Sequence, residues 1–185
     1  MTITIVRLYD DHDRAAEAVQ GLKKAGLADT DVSVMTRGDR LGHAARGAEI
    51  GAAFGGLTGL LTGLGLIAIP GIGPVVATGW LAATAAGAAA GAMAGGALGV
   101  VTEAGVSGEE AQAFAEGLRR GATLVSCRVP EAERSRYEAI LDRGAVNIRV
   151  RVAEYRSAGW TAHDPGAPAW TPEELRRERE RRGKG

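Results

Sequence analysis

The chain has 185 residues, room for roughly one domain with an appendage. Its 22 basic residues balance its 22 acidic ones, so no overall field selects nucleic acid or an acidic partner. The single cysteine, Cys127, excludes an internal disulfide framework, and an aromatic content of 4% is thin for a large core.

Residues 1–40 read as strand, helix, strand. Residues 2–9 are rich in β-branched side chains and suit a central strand. The opening Thr2-Ile3-Thr4-Ile5-Val6 lacks the basic-then-apolar pattern of a secretory signal, so a cytoplasmic or inner-membrane-associated chain is expected. Asp10-Asp11-His12-Asp13 supplies N-cap candidates and first-turn acids. Ala15, Ala18, Val19 and Leu22 then repeat at helical spacing, and Gly26 stands where a helix-ending glycine belongs. A second strand is expected over 31–35.

The next segment, 47–102, carries the most information. Between Glu49 and Glu103 there is no Asp, Glu, Lys, Arg or His. Pro70-Gly71-Ile72-Gly73-Pro74 divides the stretch, because each proline disfavours helix in the residue before it and the glycines permit a tight turn. The first arm, 50–69, would be ~30 Å long as a helix, about one bilayer core. It carries Gly47, Gly51, Gly55, Gly59 and Gly63, each four apart, and the second arm repeats the spacing with Gly79, Ala83, Gly87, Gly91, Gly95 and Gly99. Residues four apart share one helix face, so each arm would present a smooth groove suited to small-xxx-small packing. Glycine costs about 1 kcal/mol per residue in a helix, and only close packing recovers that. The expectation is a glycine-zipper helical hairpin with its turn at Pro70, Gly71, Gly73 and Pro74.

Residues 106–157 read as helix, strand, helix, strand. Ser107-Gly108-Glu109-Glu110 has the form of a capping box, and Ala111, Phe114, Ala115 and Leu118 give the helix behind it an apolar face. A strand over 123–129 follows, then a helix opened by Pro130 and closed at Gly144. Val146, Ile148, Val150 and Val152 alternate with Asn147, Arg149 and Arg151, the pattern of a strand with one wet face. Each half thus holds a βαβ unit. Together they predict an α+β fold, a ferredoxin-like βαβ–βαβ sandwich with the glycine-zipper hairpin inserted between its halves. In the tail, 158–185, Trp160, Pro165, Pro168 and Trp170 mark an irregular linker. Thr171-Pro172-Glu173-Glu174 opens a short basic helix.

Ile69-Pro70-Gly71-Ile72-Gly73-Pro74-Val75-Val76-Ala77 behind a glycine arm, Glu109-Glu110-Ala111, and Gly117-Leu118-Arg119-Arg120-Gly121-Ala122-Thr123-Leu124-Val125 together resemble the bacterial general-stress or heat-induced-stress (YflT-type) domain proteins. The resemblance covers about 1–152. It implies a stress-associated bacterial protein and supplies no catalytic residues.

Chemistry is sparse. Asp10-Asp11-His12-Asp13 is expected to cap a helix rather than hold a metal, since neighbouring residues at a helix start diverge. His163-Asp164 reads as a turn and Cys127 as a buried, inert thiol. No Gly-Lys-Ser/Thr element follows the glycines, so they form no phosphate loop. Arg128, Arg149 and Arg151 could line an open sheet face, but RNA recognition would need stacking aromatics, and only Tyr9 offers one. The expectation is therefore a non-enzymatic protein with no cofactor, metal, nucleic-acid partner or evident small-molecule substrate. Two readings stay open: a hairpin that enters a membrane and self-associates there, or hairpins from several copies packed into a soluble homo-oligomer. The uncharged length and Trp80 beside the turn favour the membrane.

Overall fold

The structure, a computed structural model, describes residues 1–37, 65–69, 73–77, 101–102, 105–106, 108–164, 167–168 and 170–182. In chain order these form β1 (Thr2–Tyr9), α1 (His12–Lys24), a 3-10 turn (Asp29–Asp31), β2 (Val32–Arg37), β3 (Gly65–Ile69), β4 (Gly73–Ala77), α2 (Gly108–Arg119), β5 (Thr123–Pro130), a second 3-10 turn (Glu131–Glu133), α3 (Arg134–Leu141), α4 (Ile148–Ser157) and α5 (Pro172–Arg182).

The class is α+β, as expected. Its centre is a three-stranded antiparallel sheet, β1–β5–β2, with Ile5 opposite Cys127 and Val34 opposite Val125. β1 and β2 run parallel with β5 between them, so β1–α1–β2 is a split βαβ unit. Asp11 caps α1 by accepting from the Asp13 N–H at 2.9 Å. Beyond the C-cap Ala25, Gly26 adopts φ +93°. Its N–H bonds the Lys23 carbonyl while that of Leu27 bonds Leu22, the paired closure of a Schellman end.

Both faces of the sheet are covered. On one, Ile5, Tyr9, Val34, Val125 and Cys127 meet Val19 and Leu22 of α1 and Tyr137 and Leu141 of α3. On the other, Val6, Leu8, Met35 and Leu124 meet Ala111, Phe114, Ala115 and Leu118 of α2. Gly117 makes that second contact possible, because a Cβ there would collide with the Leu8 side chain. α4 packs in turn on α2 through Ala113, Val152, Tyr155 and Trp160.

Three expectations are corrected. The strand expected at 146–152 is not formed. Val146 makes a single bond to the edge of β1, its N–H donating to the Leu8 carbonyl at 2.7 Å, and α4 then begins. Asn147 caps it, accepting from the Arg149 and Val150 N–H groups at 3.1 and 3.3 Å. The alternation broke down because Ile148, Val152 and Tyr155 also recur at helical spacing, and that pattern reaches the α2 surface while Val150 is left 54% exposed. Arg149 and Arg151 accordingly lie on a helix and line no open sheet face. The ferredoxin-like sandwich expected from two βαβ units is thus not completed among the described residues. The helix at 108–119 closes the second face of the sheet.

The third correction concerns the hairpin. Gly65–Ile69 and Gly73–Ala77, expected at the inner ends of two helices, are strands. They pair antiparallel, Ile67 opposite Val75 and Ile69 opposite Gly73, and β4 pairs in turn with β2, Met35 opposite Ala77. The five strands follow the order β1-β5-β2-β4-β3. β-branched Ile67, Ile69, Val75 and Val76 fit an extended ribbon, and β2 offers it an edge. Gly73 and Pro74 therefore open a strand. Pro70 and Gly71, and the whole register Gly47, Gly51, Gly55, Gly59, Gly63, Gly79, Ala83, Gly87, Gly91, Gly95 and Gly99, lie outside the described residues. The second arm is described again at its end: Val101 and Thr102 are helical, and Val101 is wholly buried among the α2 contacts. That helix closes at Gly105, φ +79°, with the N–H of Val106 bonded to the Val101 carbonyl.

Candidate functional site

The densest concentration of buried polar groups lies where the tail crosses the C-terminal end of α2. Glu116, Arg119 and Arg120 stand three and four residues apart and so share a face of that helix. The Glu116 side chain is 1% exposed. Its carboxylate accepts from Arg120 Nε at 2.7 Å and from Arg119 Nη1 at 3.2 Å. The His163 Nδ1 atom is 3.6 Å away, on a side chain only 3% exposed. Burial pushes Glu116 toward the neutral acid. The His163 imidazole, the Arg120 hydrogen bond and the charges of Arg120 and Arg119 outweigh it and hold the carboxyl below its usual range.

Arg120 is enclosed on several sides. Its guanidinium carbon lies 4.3 Å from the centroid of Tyr155 and 4.9 Å from that of Trp170. Its Nη1 reaches the Glu178 carboxylate of α5 at 3.4 Å. Arg119 lies over the same Trp170 ring at 5.8 Å and donates to the Pro168 carbonyl at 3.2 Å. Glu178 is itself buried and also pairs with Arg181 at 2.7 Å. A guanidinium held between two aromatic faces with one edge given to a carboxylate is an arrangement that recognises acids. Here the acid comes from the chain's own tail.

α5 begins as expected. Thr171 and Glu174 form a reciprocal capping box, the Thr171 N–H donating to Glu174 at 2.7 Å and the Glu174 N–H to Thr171 Oγ1 at 3.3 Å. Of its described side chains only Leu175 and Glu178 are buried.

A second ionic contact ties α4 to the end of β1. Arg151, 8% exposed, donates to both carboxylate oxygens of Asp10, at 3.0 and 2.5 Å. Burial opposes its charge, but the Asp10 carboxylate more than compensates and raises its pKa. Nearby, the Thr123 hydroxyl donates to Thr36 Oγ1 at 3.3 Å, with His12 Nδ1 also 3.3 Å away. Thr123 is fully buried, while Thr36 and His12 are half-buried.

His163, expected in a turn, is buried against Glu116. The usable signal was Glu-x-x-Arg-Arg on one helix face together with two tail tryptophans. Cys127 faces the α1–α3 core, and burial pushes its thiol up to about 12. Tyr9 is buried, and its hydroxyl donates to the Leu141 carbonyl. It therefore offers no ring for stacking a base. Asp11 caps α1, while Asp10 holds Arg151.

Among the described residues no helix is long and apolar enough to cross a membrane, and no group of His, Cys, Asp and Glu is placed to hold a metal ion. No family model, curated protein or solved structure matches the chain.

Proposed function

We propose that this chain is a non-catalytic assembly protein, in which a closed α/β platform carries two glycine-register segments that pack against each other or against those of other copies. The carrying observation is that each segment is tied at both ends to one platform. The first leaves the end of β2 at Arg37 and returns at Gly65 of β3; the second leaves β4 at Ala77 and returns at the buried Val101. Tethered so, glycines at fourfold spacing serve close backbone packing. The platform keeps the split βαβ unit of a ferredoxin-like sandwich, and its buried charged groups Glu116, Arg151 and Glu178 are engaged in ion pairs. The resemblance to bacterial stress-domain proteins supports a role under stress.

Membrane association is the second reading. The stretch between Glu49 and Glu103, free of Asp, Glu, Lys, Arg and His, favours it. Fractionation without detergent followed by native mass measurement separates the two. Recovery in the soluble fraction as a defined oligomer supports assembly alone, and recovery with lipid supports the membrane. A soluble monomer would remove both assembly and membrane association and leave packing within one chain.

A further inference from the structure

The tail helix is held at a few points along one side. α5 buries two of its described side chains, Leu175 and Glu178, the latter paired with Arg120 at 3.4 Å. Its other described side chains from Pro172 to Arg181 are exposed, and four of them, Arg176, Arg177, Glu173 and Glu180, pair only along the helix itself. Such an element opens locally at a free energy well below that of global unfolding. Opening it uncovers Arg119 and Arg120 on α2 with Tyr155 behind them, a surface of two guanidiniums and a ring. Its ligand is defined by what now occupies it: a helix with Leu and Glu three residues apart, preceded by a tryptophan.

We propose that α5 is exchangeable, so that at higher protein concentration the Trp170-to-Glu178 strap of one copy docks on the Arg119–Arg120 surface of another, giving a reciprocal dimer. A second copy satisfies the chemistry by identity, because every contact made within the chain is available between chains. The hinge favours it. Only residues 164–169 separate the buried His163 from Trp170, and they include Asp164-Pro165-Gly166 and Pro168. Prolines bias a linker toward extended backbone, and short hinges are where exchange of an element between copies begins. Within one chain the linker keeps the strap at high effective concentration, so the monomer dominates when dilute and the dimer grows with concentration. This contact is separate from the glycine segments and does not depend on them.

The test is native mass measurement across a dilution series on the full chain. Wild type, Glu178→Arg, Leu175→Ala and Gly55→Leu are compared, with circular dichroism confirming each fold. Wild type should show a dimer that dissociates on dilution, and Glu178→Arg and Leu175→Ala should each lose it, since both substitutions lie at the rim of the fold. Gly55→Leu should keep this dimer. A synthetic peptide of residues 167–185 added in excess should split the wild-type dimer into monomers carrying one peptide, and the same peptide with Glu178→Arg should not. A wild-type chain monomeric at every concentration would overturn the exchange. So would a dimer that survives both tail substitutions or is lost in Gly55→Leu, and the last outcome would assign association to the glycine segments.

Discussion

Glu116 shows what one buried charge does in this fold. It offsets Arg119 and Arg120 at once, and its removal leaves two guanidiniums in a site with little water. Glu116→Gln should therefore destabilise the protein by about 3 kcal/mol, read from urea unfolding at neutral pH. The pH dependence follows from the direction of its shift. The folded-state pKa lies below the unfolded one, so the carboxylate contributes its stability fully above the unfolded value and loses it as pH falls through the folded value. The gap between wild type and Glu116→Gln should then close progressively below about pH 4. A gap unchanged into strong acid would mean that packing, not charge, carries the loss. Cys127 makes the opposite case, a group silenced by burial. With its thiol pushed up to about 12, it should resist a thiol reagent at mildly alkaline pH in the native protein and react only after denaturant is added. Fast native labelling would show that the sheet opens between β5 and α1.

At the scale of elements, α4 rests on a small local signal. Asn147 satisfies two N–H groups at its start, and three of the first five residues behind it, Ile148, Val150 and Val152, are β-branched. Asn147→Ala should cost about 1 kcal/mol in urea unfolding, with loss of helical circular dichroism if the segment reverts toward strand. The same segment marks the limit of what the sequence made legible. β1, α1, β2 and β5 could be read directly, because each has one strong period and clear ends. From 146 to 157 two periods overlap, and the choice between them depends on whether α2 is there to receive Val152 and Tyr155, a tertiary fact. β3 and β4 were not legible as strands, because the uncharged run through residue 69 suits a helical arm as well, although the fourfold glycine spacing stops at Gly63 and resumes at Gly79. Pro70-Gly71-Ile72-Gly73-Pro74 marked a turn without stating whether helices or strands flank it. The tail cluster was half visible. The capping box at Thr171 could be read, but His163 and the tryptophans looked like linker because their partners lie far away in sequence, His163 on Glu116 and Trp170 on Arg119 and Arg120.

At the scale of the whole molecule, topology constrains what the glycine segments can do. β2 and β3 run parallel with β4 between them, so residues 38–64 connect the end of one strand to the start of another at the opposite end of the sheet. Parallel strands need a long crossover, usually helical and lying over a sheet face. Residues 78–100 likewise join β4 to Val101, which is fixed on the α2 side. The proposed packing brings backbones together at the glycine positions, the situation in which a Cβ branch is least welcome. If the glycine segments pack as proposed, leucine at Gly55 or Gly91 should separate their backbones. Either variant should lower the melting temperature by several degrees, about what 1–3 kcal/mol of overpacking produces in a domain of this size, or lose the glycine-mediated assembly in native mass measurement. Alanine at the same positions should be far milder, since Ala83 already occupies a register position. Leucine variants with wild-type melting and wild-type mass would reduce the fourfold spacing to composition and remove the basis for an assembly role.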